Sequence, residues 1–273
     1  VNMQDSGVPY LYEASFTGEQ SEFRRNSPWI SNDSPGFGAS FANYEAQVSA
    51  GNSFDYPYLH GSIFAKNGFS FVSCSRDGLY NLTNDYSRFD IVDLILGKQG
   101  ETKIGRGVKG VKYGIYTPKL VDMLSQYLKE GGNLLISGAN VASDLWDNYN
   151  IDSSFINFAQ KKLKYEWITS RASKTAEVES APNSFGFNTK ISFYNQPNRD
   201  SYSVESPDGI APYNNESQTI MRYKENNISA AIAHKGEYKT VILGFPIESI
   251  IESKEREKIM SEIIHFFIKS SNE

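Results

Sequence analysis

The chain has 273 residues, a formal net charge of −5 at pH 7, one cysteine and three histidines. This length admits one large domain or two small ones and buries a core without staples; the acidic balance argues against a broad nucleic-acid footprint. Cys74 alone excludes an intramolecular disulfide, and no run of about 18 apolar residues offers a membrane span.

The compartment stays open, because many exported bacterial domains also lack disulfides. No signal peptide is visible, and the start at Val1-Asn2-Met3-Gln4 suits a mature or excised module. Seventeen Tyr and 17 Phe make a high aromatic load. It reads first as a β-rich core, and alternatively as a sugar-stacking surface, since aromatic faces are flat apolar platforms.

Residues 1–50 hold many turn formers, and 31–38 reads as a loop. Residues 1–20 contain no apolar strand: Val8 to Leu11 is short and broken by Pro9, which removes a ladder donor. The expectation is that the first strand comes from residues upstream of Val1 or from a non-sequential segment, leaving an edge strand partly uncovered. Residues 52–60 form a glycine-bounded aromatic loop. Lys66-Asn67-Gly68 between the apolar runs 63–65 and 69–73 predicts a β-hairpin. Phe89 to Leu96, ending at Gly97, predicts a buried parallel strand.

The segment from Thr117 predicts a helix. Thr117 is the N-cap and Pro118 the first position; Leu120, Met123, Leu124, Tyr127 and Leu128 share one face, and Gly131-Gly132 stops it. Asn133 to Ser137 is then a central parallel strand, with a turn at Gly138-Ala139-Asn140 on its carboxyl end. In open α/β sheets ligands bind at such turns. Residues 151–163 predict a second helix, with Asp152 at its start and lysines at its end. Strands are expected at 165–169, 187–193, 218–223, 228–234 and 239–245, the last three as an antiparallel meander. A closing helix runs from Ser253, with Ile259, Met260, Ile263, Ile264, Phe267 and Ile268 as its buried stripe.

The fold class is therefore α/β: a mostly parallel, flavodoxin-like sheet with helices on both faces. A loop-rich, antiparallel β insertion spans about 165–235 of a single domain.

Few residues carry chemistry. Asp55 and His60 offer an acid–base pair if their loop folds back, or else His60 pins the loop by a hydrogen bond. Asn52, Tyr56 and Tyr58 add polar and stacking groups, and the loop 52–60 is expected to pack near the 138–140 turn as the best pocket. Ser137 lacks the Gly-x-Ser-x-Gly setting of a nucleophile and reads as a hydroxyl bonding local backbone. Asp144 either lines a pocket or caps a helix. Cys74 reads as a small buried hydrophobe, and His234 and His265 as packing residues. Three scattered histidines give no metal-ligand spacing. Residues 105–110 lack the strand and helix that a phosphate loop needs, so no cofactor is implied.

Two stretches carry a resemblance to the class I glutamine amidotransferase-like fold: the strand from Gly131-Gly132 to Ser137-Gly138, and Val241 to Glu248 before the last helix. Residues 35–40, 51–61 and 89–93 resemble, more closely, a module of large secreted Bacteroidetes proteins that carry labels such as xanthan lyase or golvesin-domain cell-wall amidase. The resemblance implies an exported protein with neighbouring domains and a glycan or cell-wall fragment as ligand. The family's Gly-x-Cys elbow falls on Asn140, or on Ala139 with a one-residue slip, and its His-Pro-Glu pattern on Phe245-Pro246-Ile247, with Glu248 one position late. Neither Asn nor Ala can attack as a thiolate. The first reading is accordingly a non-catalytic accessory module, glycan-binding or supporting a neighbouring domain. The alternatives are a carbohydrate-active hydrolase or lyase using Asp55, His60 and Glu248, and a protein-interaction module.

Overall fold

The helix from Thr117 forms as its sequence dictates. In the computed structural model, which describes residues 56–74, 79–80, 88–98, 102–103, 112–113, 115–147, 152–196, 201 and 203–269, Thr117 Oγ1 accepts the Leu120 N–H at 3.3 Å. Helix α2 (Pro118–Lys129) ends where Gly131, at φ +87°, turns the chain left-handed. The Gly131 and Gly132 N–H groups close on the carbonyls of Leu128 and Tyr127, the Schellman arrangement that glycine permits. Leu120, Leu124 and Leu128 are buried, each contributing roughly 1.5–3 kcal/mol.

Eleven strands are described among these residues: β1 (Ile91–Gly97), β2 (Thr102–Lys103), β3 (Lys112–Tyr113), β4 (Asn133–Gly138), β5 (Tyr165–Thr169), β6 (Glu177–Ser180), β7 (Lys190–Ser192), β8 (Gly209–Pro212), β9 (Ser217–Tyr223), β10 (Ser229–Lys235) and β11 (Lys239–Leu243). Seven form one sheet in the order β1-β4-β11-β10-β9-β6-β7. β4 lies between β1 and β11 and is parallel to both. From β11 outward every pairing is antiparallel. The sheet is thus a three-stranded parallel unit extended by an antiparallel meander, the α/β architecture with a β-rich extension. β5 and β8 make a separate antiparallel pair, as do β2 and β3.

Helices cover both faces. Side-chain alternation sends Ile95, Leu135, Val241 and Leu243 to one core, with α1 (Tyr56–Lys66) and α5 (Ser253–Ile268). It sends Leu94, Leu96, Leu134, Ile136 and Ile242 to the other. There they meet α2, α3 (Ser143–Trp146) and α4 (Ser153–Phe158), which continues into a π turn at Ala159–Leu163. Among the described residues no helix is long and apolar enough to cross a membrane.

Four sequence expectations change. Ile268, expected in the buried stripe of the closing helix, is 50% exposed, and Phe266 is buried instead. The hairpin expected about Lys66-Asn67-Gly68 is the C-terminal end of α1. Gly68, at φ +87°, closes a second Schellman turn, its N–H on Ala65 O and the Phe69 N–H on Phe64 O. Asn-Gly favours positive φ in either setting, and the buried stripe Tyr56, His60, Ile63, Phe64 at helical spacing decides for the helix. Tyr56, Tyr58 and His60 therefore lie on that helix rather than in a loop. β6 and β8 are strands the sequence does not announce: they are short, and β8 contains Gly209 and Pro212. The expectation for residues 1–20 lies outside the described residues, as do Asn52 and Asp55.

Candidate functional site

Two buried polar centres stand out, one under α1 and one at the carboxyl end of the parallel strands.

Under α1, His60 is 1% exposed and sits between two carboxylates. Its Nδ1–H donates to Asp93 Oδ2 at 2.7 Å. Its Nε2 lies 3.4 Å from Glu248 Oε2. Asp93 comes from β1, opposite Leu135 of β4. Glu248 comes from the 3-10 turn Ile247–Ser249, which folds back after β11. Burial alone would lower the His60 pKa, but the two carboxylates outweigh it and hold the imidazole at about 9. Arg256 of α5 lies within the field of Glu248 and donates Nη1–H to Ile250 O at 2.6 Å. Alternating charges thus run from β1 through α1 to α5. An imidazolium held between two carboxylates with almost no exposure cannot take a proton from a substrate at neutral pH. What it does is tie α1 to the sheet.

The second centre is built on the β4 turn. Ala139 N–H donates to Gly97 O at 2.8 Å. Asn140 Nδ2 donates to Lys98 O at 3.1 Å. Ala142 and Ser143 N–H groups both donate to Asp208 Oδ2, at 2.7 and 2.8 Å. Asp144 Oδ2 accepts the Ile115 N–H at 2.8 Å and so fastens the approach to α2.

Asp208 belongs to a strap, residues 203–208, that holds the carboxyl ends of all three parallel strands. Lys98, just after β1, pairs with Glu205 at 2.6 Å. The turn after β4 is held by the Asp208 carboxylate. Gly244, just after β11, accepts the Asp208 N–H at 2.9 Å. Val204 N–H donates to Tyr194 O, Ala172 N–H to Pro207 O, and Tyr223 OH to Asp208 O. The backbone is so close there that a Cβ on Gly244 would stand 2.1 Å from Asp208 O. The edge at which open α/β sheets receive ligands is therefore filled, over these turns, by the chain itself.

The remaining expected residues divide plainly. His60 and Glu248 meet; Asp93, which completes their centre, was not singled out in the sequence, although a charge inside the apolar run Ile91 to Leu96 is the signal. Ser137 is fully buried and its hydroxyl has no hydrogen-bond partner, so neither local-backbone bonding nor nucleophilic attack describes it. Strand alternation puts it on the face that Leu135 shares with α1. Asn140 serves the β4 turn and Asp144 the approach to α2. Tyr56 is buried and Tyr58 exposed. His234 Nδ1–H donates to Glu216 O at 2.6 Å, and burial lowers its pKa, with Lys164 adding to that. Cys74 packs half-buried against the second core. Asp208, in Ser206-Pro207-Asp208-Gly209, carries no sequence signal beyond that of a turn. Among the described residues no group of three or more His, Cys, Asp or Glu is placed to hold a metal ion.

No protein-family model matches the chain, and no curated protein matches its sequence. Solved structures with a similar course include an exo-β-1,4-mannosidase from Opitutaceae bacterium strain TAV5, with a TM-score of 0.42, 12% identity, and coverage of 76% of this chain. The chain spans only 28% of that enzyme. The N-terminal domain of mmIFT52 gives a TM-score of 0.49 at 12% identity, covering 84% of this chain and 97% of that one. A Thermoplasma acidophilum protein described as a GMP synthase subunit gives 0.44 at 9% identity, covering 78% and 89%.

Proposed function

We propose that this chain is a non-catalytic accessory module of an exported polysaccharide- or cell-wall-acting protein, binding a glycan or supporting a neighbouring domain. The observation that carries the non-catalytic part is the β4 turn. It holds Gly138, Ala139 and Asn140 where a nucleophile would stand, and its Ala142 and Ser143 N–H groups are taken up by Asp208. An acyl-transfer site needs both a nucleophile and free donors for the developing oxyanion. The buried His60 supports the same reading, since it is enclosed by its own carboxylates. Export and the glycan ligand rest on the resemblance of residues 35–40, 51–61 and 89–93.

The test has two arms. Purified protein is assayed for release of reducing ends, unsaturated products and ammonia from xanthan, peptidoglycan fragments and glutamine. It is also titrated calorimetrically with the same glycans. The expected result is saturable glycan binding without turnover, unchanged in Cys74→Ser. Turnover abolished by Cys74→Ser or His60→Gln, in protein that remains folded, overturns the non-catalytic reading. Absence of binding to every glycan overturns the glycan part and leaves the supporting role.

A further inference from the structure

The strap over the parallel strands is held at its end by a carboxyl group in an unusual position. Asp208 is fully buried. Oδ2 takes two backbone N–H groups, while Oδ1 is buried and meets no hydrogen-bond donor. An unsatisfied oxygen costs far more on a charged group than on a neutral one. We propose that Asp208 is a protonation-controlled latch, holding residues 203–208 firmly over the carboxyl ends of β4 and β11 when neutral and loosening them when ionised.

The surroundings agree from each side. Asp144 of α3 adds like charge, and Tyr165 of β5 and Tyr223 of β9 are buried phenols whose own pKa values burial and the nearby Asp208 carboxyl push up. Among the described residues no lysine, arginine or histidine pairs with the Asp208 side chain. Burial pushes the Asp208 pKa from 3.8 to about 7; the Ser143 and Ala142 N–H groups and the Ser143 hydroxyl pull it back only part of the way, and Asp144 opposes them. Because the closed-state pKa is raised, the latch is fully set below pH 3.8 and is weakened as pH rises through 7. The strap's other titrating contact works at a different pH. Burial would raise the Glu205 carboxyl, but Lys98 outweighs it and holds it below 4.5. That contact is therefore intact throughout the range where Asp208 changes.

Amide hydrogen exchange tests this on the whole chain. Val204, Asp208 and Ala172 N–H report the strap, and β11 amides report global opening. Between pH 5 and 7, after correction for intrinsic exchange, the strap opening constant is expected to rise on the order of 50-fold, the ratio given by pKa values of 3.8 and about 7. Asp208→Asn keeps the acceptor and the shape, and its strap is expected to show no such rise. An equal rise in Asp208→Asn, no rise in the native chain, or an identical rise in the β11 amides overturns the latch. A carbon-13 titration of the native Asp208 carboxyl stands beside it, should the variant fail to fold. A midpoint near 7 supports the proposal and one near 4 overturns it.

Discussion

Helices α1 and α2 lie on opposite faces of the same sheet and are held by opposite means. α2 is fixed by what its own sequence carries: an N-cap at Thr117, an apolar stripe and a glycine stop. Among its long polar anchors, Tyr127 OH shares its hydrogen between the Phe89 and Asn133 carbonyls and accepts the Asn133 N–H, and Lys119 Nζ donates to Tyr80 O. α1 has a buried histidine in its stripe, and that histidine is ion-paired with Asp93 and Glu248, 33 and 188 positions away in sequence. The α2 helix can be read locally. The α1 helix makes sense only after the sheet has brought two carboxylates beneath it.

The largest effect is expected at His60. Replacing it by Ala removes the ion-pair partner that Asp93 and Glu248 share, both of which have little or no exposure. The expected loss is about 3–5 kcal/mol, the usual cost of removing one partner of a buried ion pair. Urea unfolding measures it; a loss below about 1 kcal/mol would mean that the cluster is not a clamp. Excess exchange in α1 amides over α2 amides should accompany it.

Alkaline pH should do the same reversibly. The folded His60 pKa is raised from 6.5 to about 9, so its contribution is complete below 6.5 and is lost as pH rises through 9. The stability difference between the native chain and His60→Gln should therefore shrink over this window, by on the order of 3 kcal/mol at most. A constant difference across it would show that the imidazole is not charged in the fold.

These two helices also show what the sequence made legible. Thr117-Pro118, Gly131-Gly132, the β4 strand, the β9–β11 meander and the start of α5 were all readable because their signals are local: caps, turns and periodicity. Lys66-Asn67-Gly68 misled because the same residues close a hairpin or a helix. The candidate site was legible only in part. His60 and Glu248 stood out by type, yet their partner Asp93 lay inside an apolar strand. Asp208 is defined by Ala142 and Ser143, more than 60 positions away, and no spacing rule links them.

On the α2 side, Tyr127→Phe isolates the Tyr127 hydroxyl without emptying the apolar stripe. The ring remains packed over Gly132, while two carbonyl contacts and one N–H contact are lost. The expected cost is about 1–2 kcal/mol, since water can reach part of this partly buried edge. Unlike the His60 variants, it should cost the same at pH 6.5 and pH 9, where tyrosine burial keeps the hydroxyl protonated. A cost that varies with pH in this range would remove the contrast between the two helices.

The smallest effect belongs to the cap. Thr117 Oγ1 satisfies the Leu120 N–H and also meets Tyr80 OH at 2.5 Å. Thr117→Ala removes both contacts at the end of a helix whose Leu120, Leu124 and Leu128 remain buried. The expected loss is about 1 kcal/mol, within the range for N-caps. Thr117→Ser keeps the hydroxyl and should restore most of it. If Ser fails to restore what Ala removes, the threonine methyl rather than the cap bond holds this end. α2 would then rest on packing at both ends, while α1 would still depend on charge.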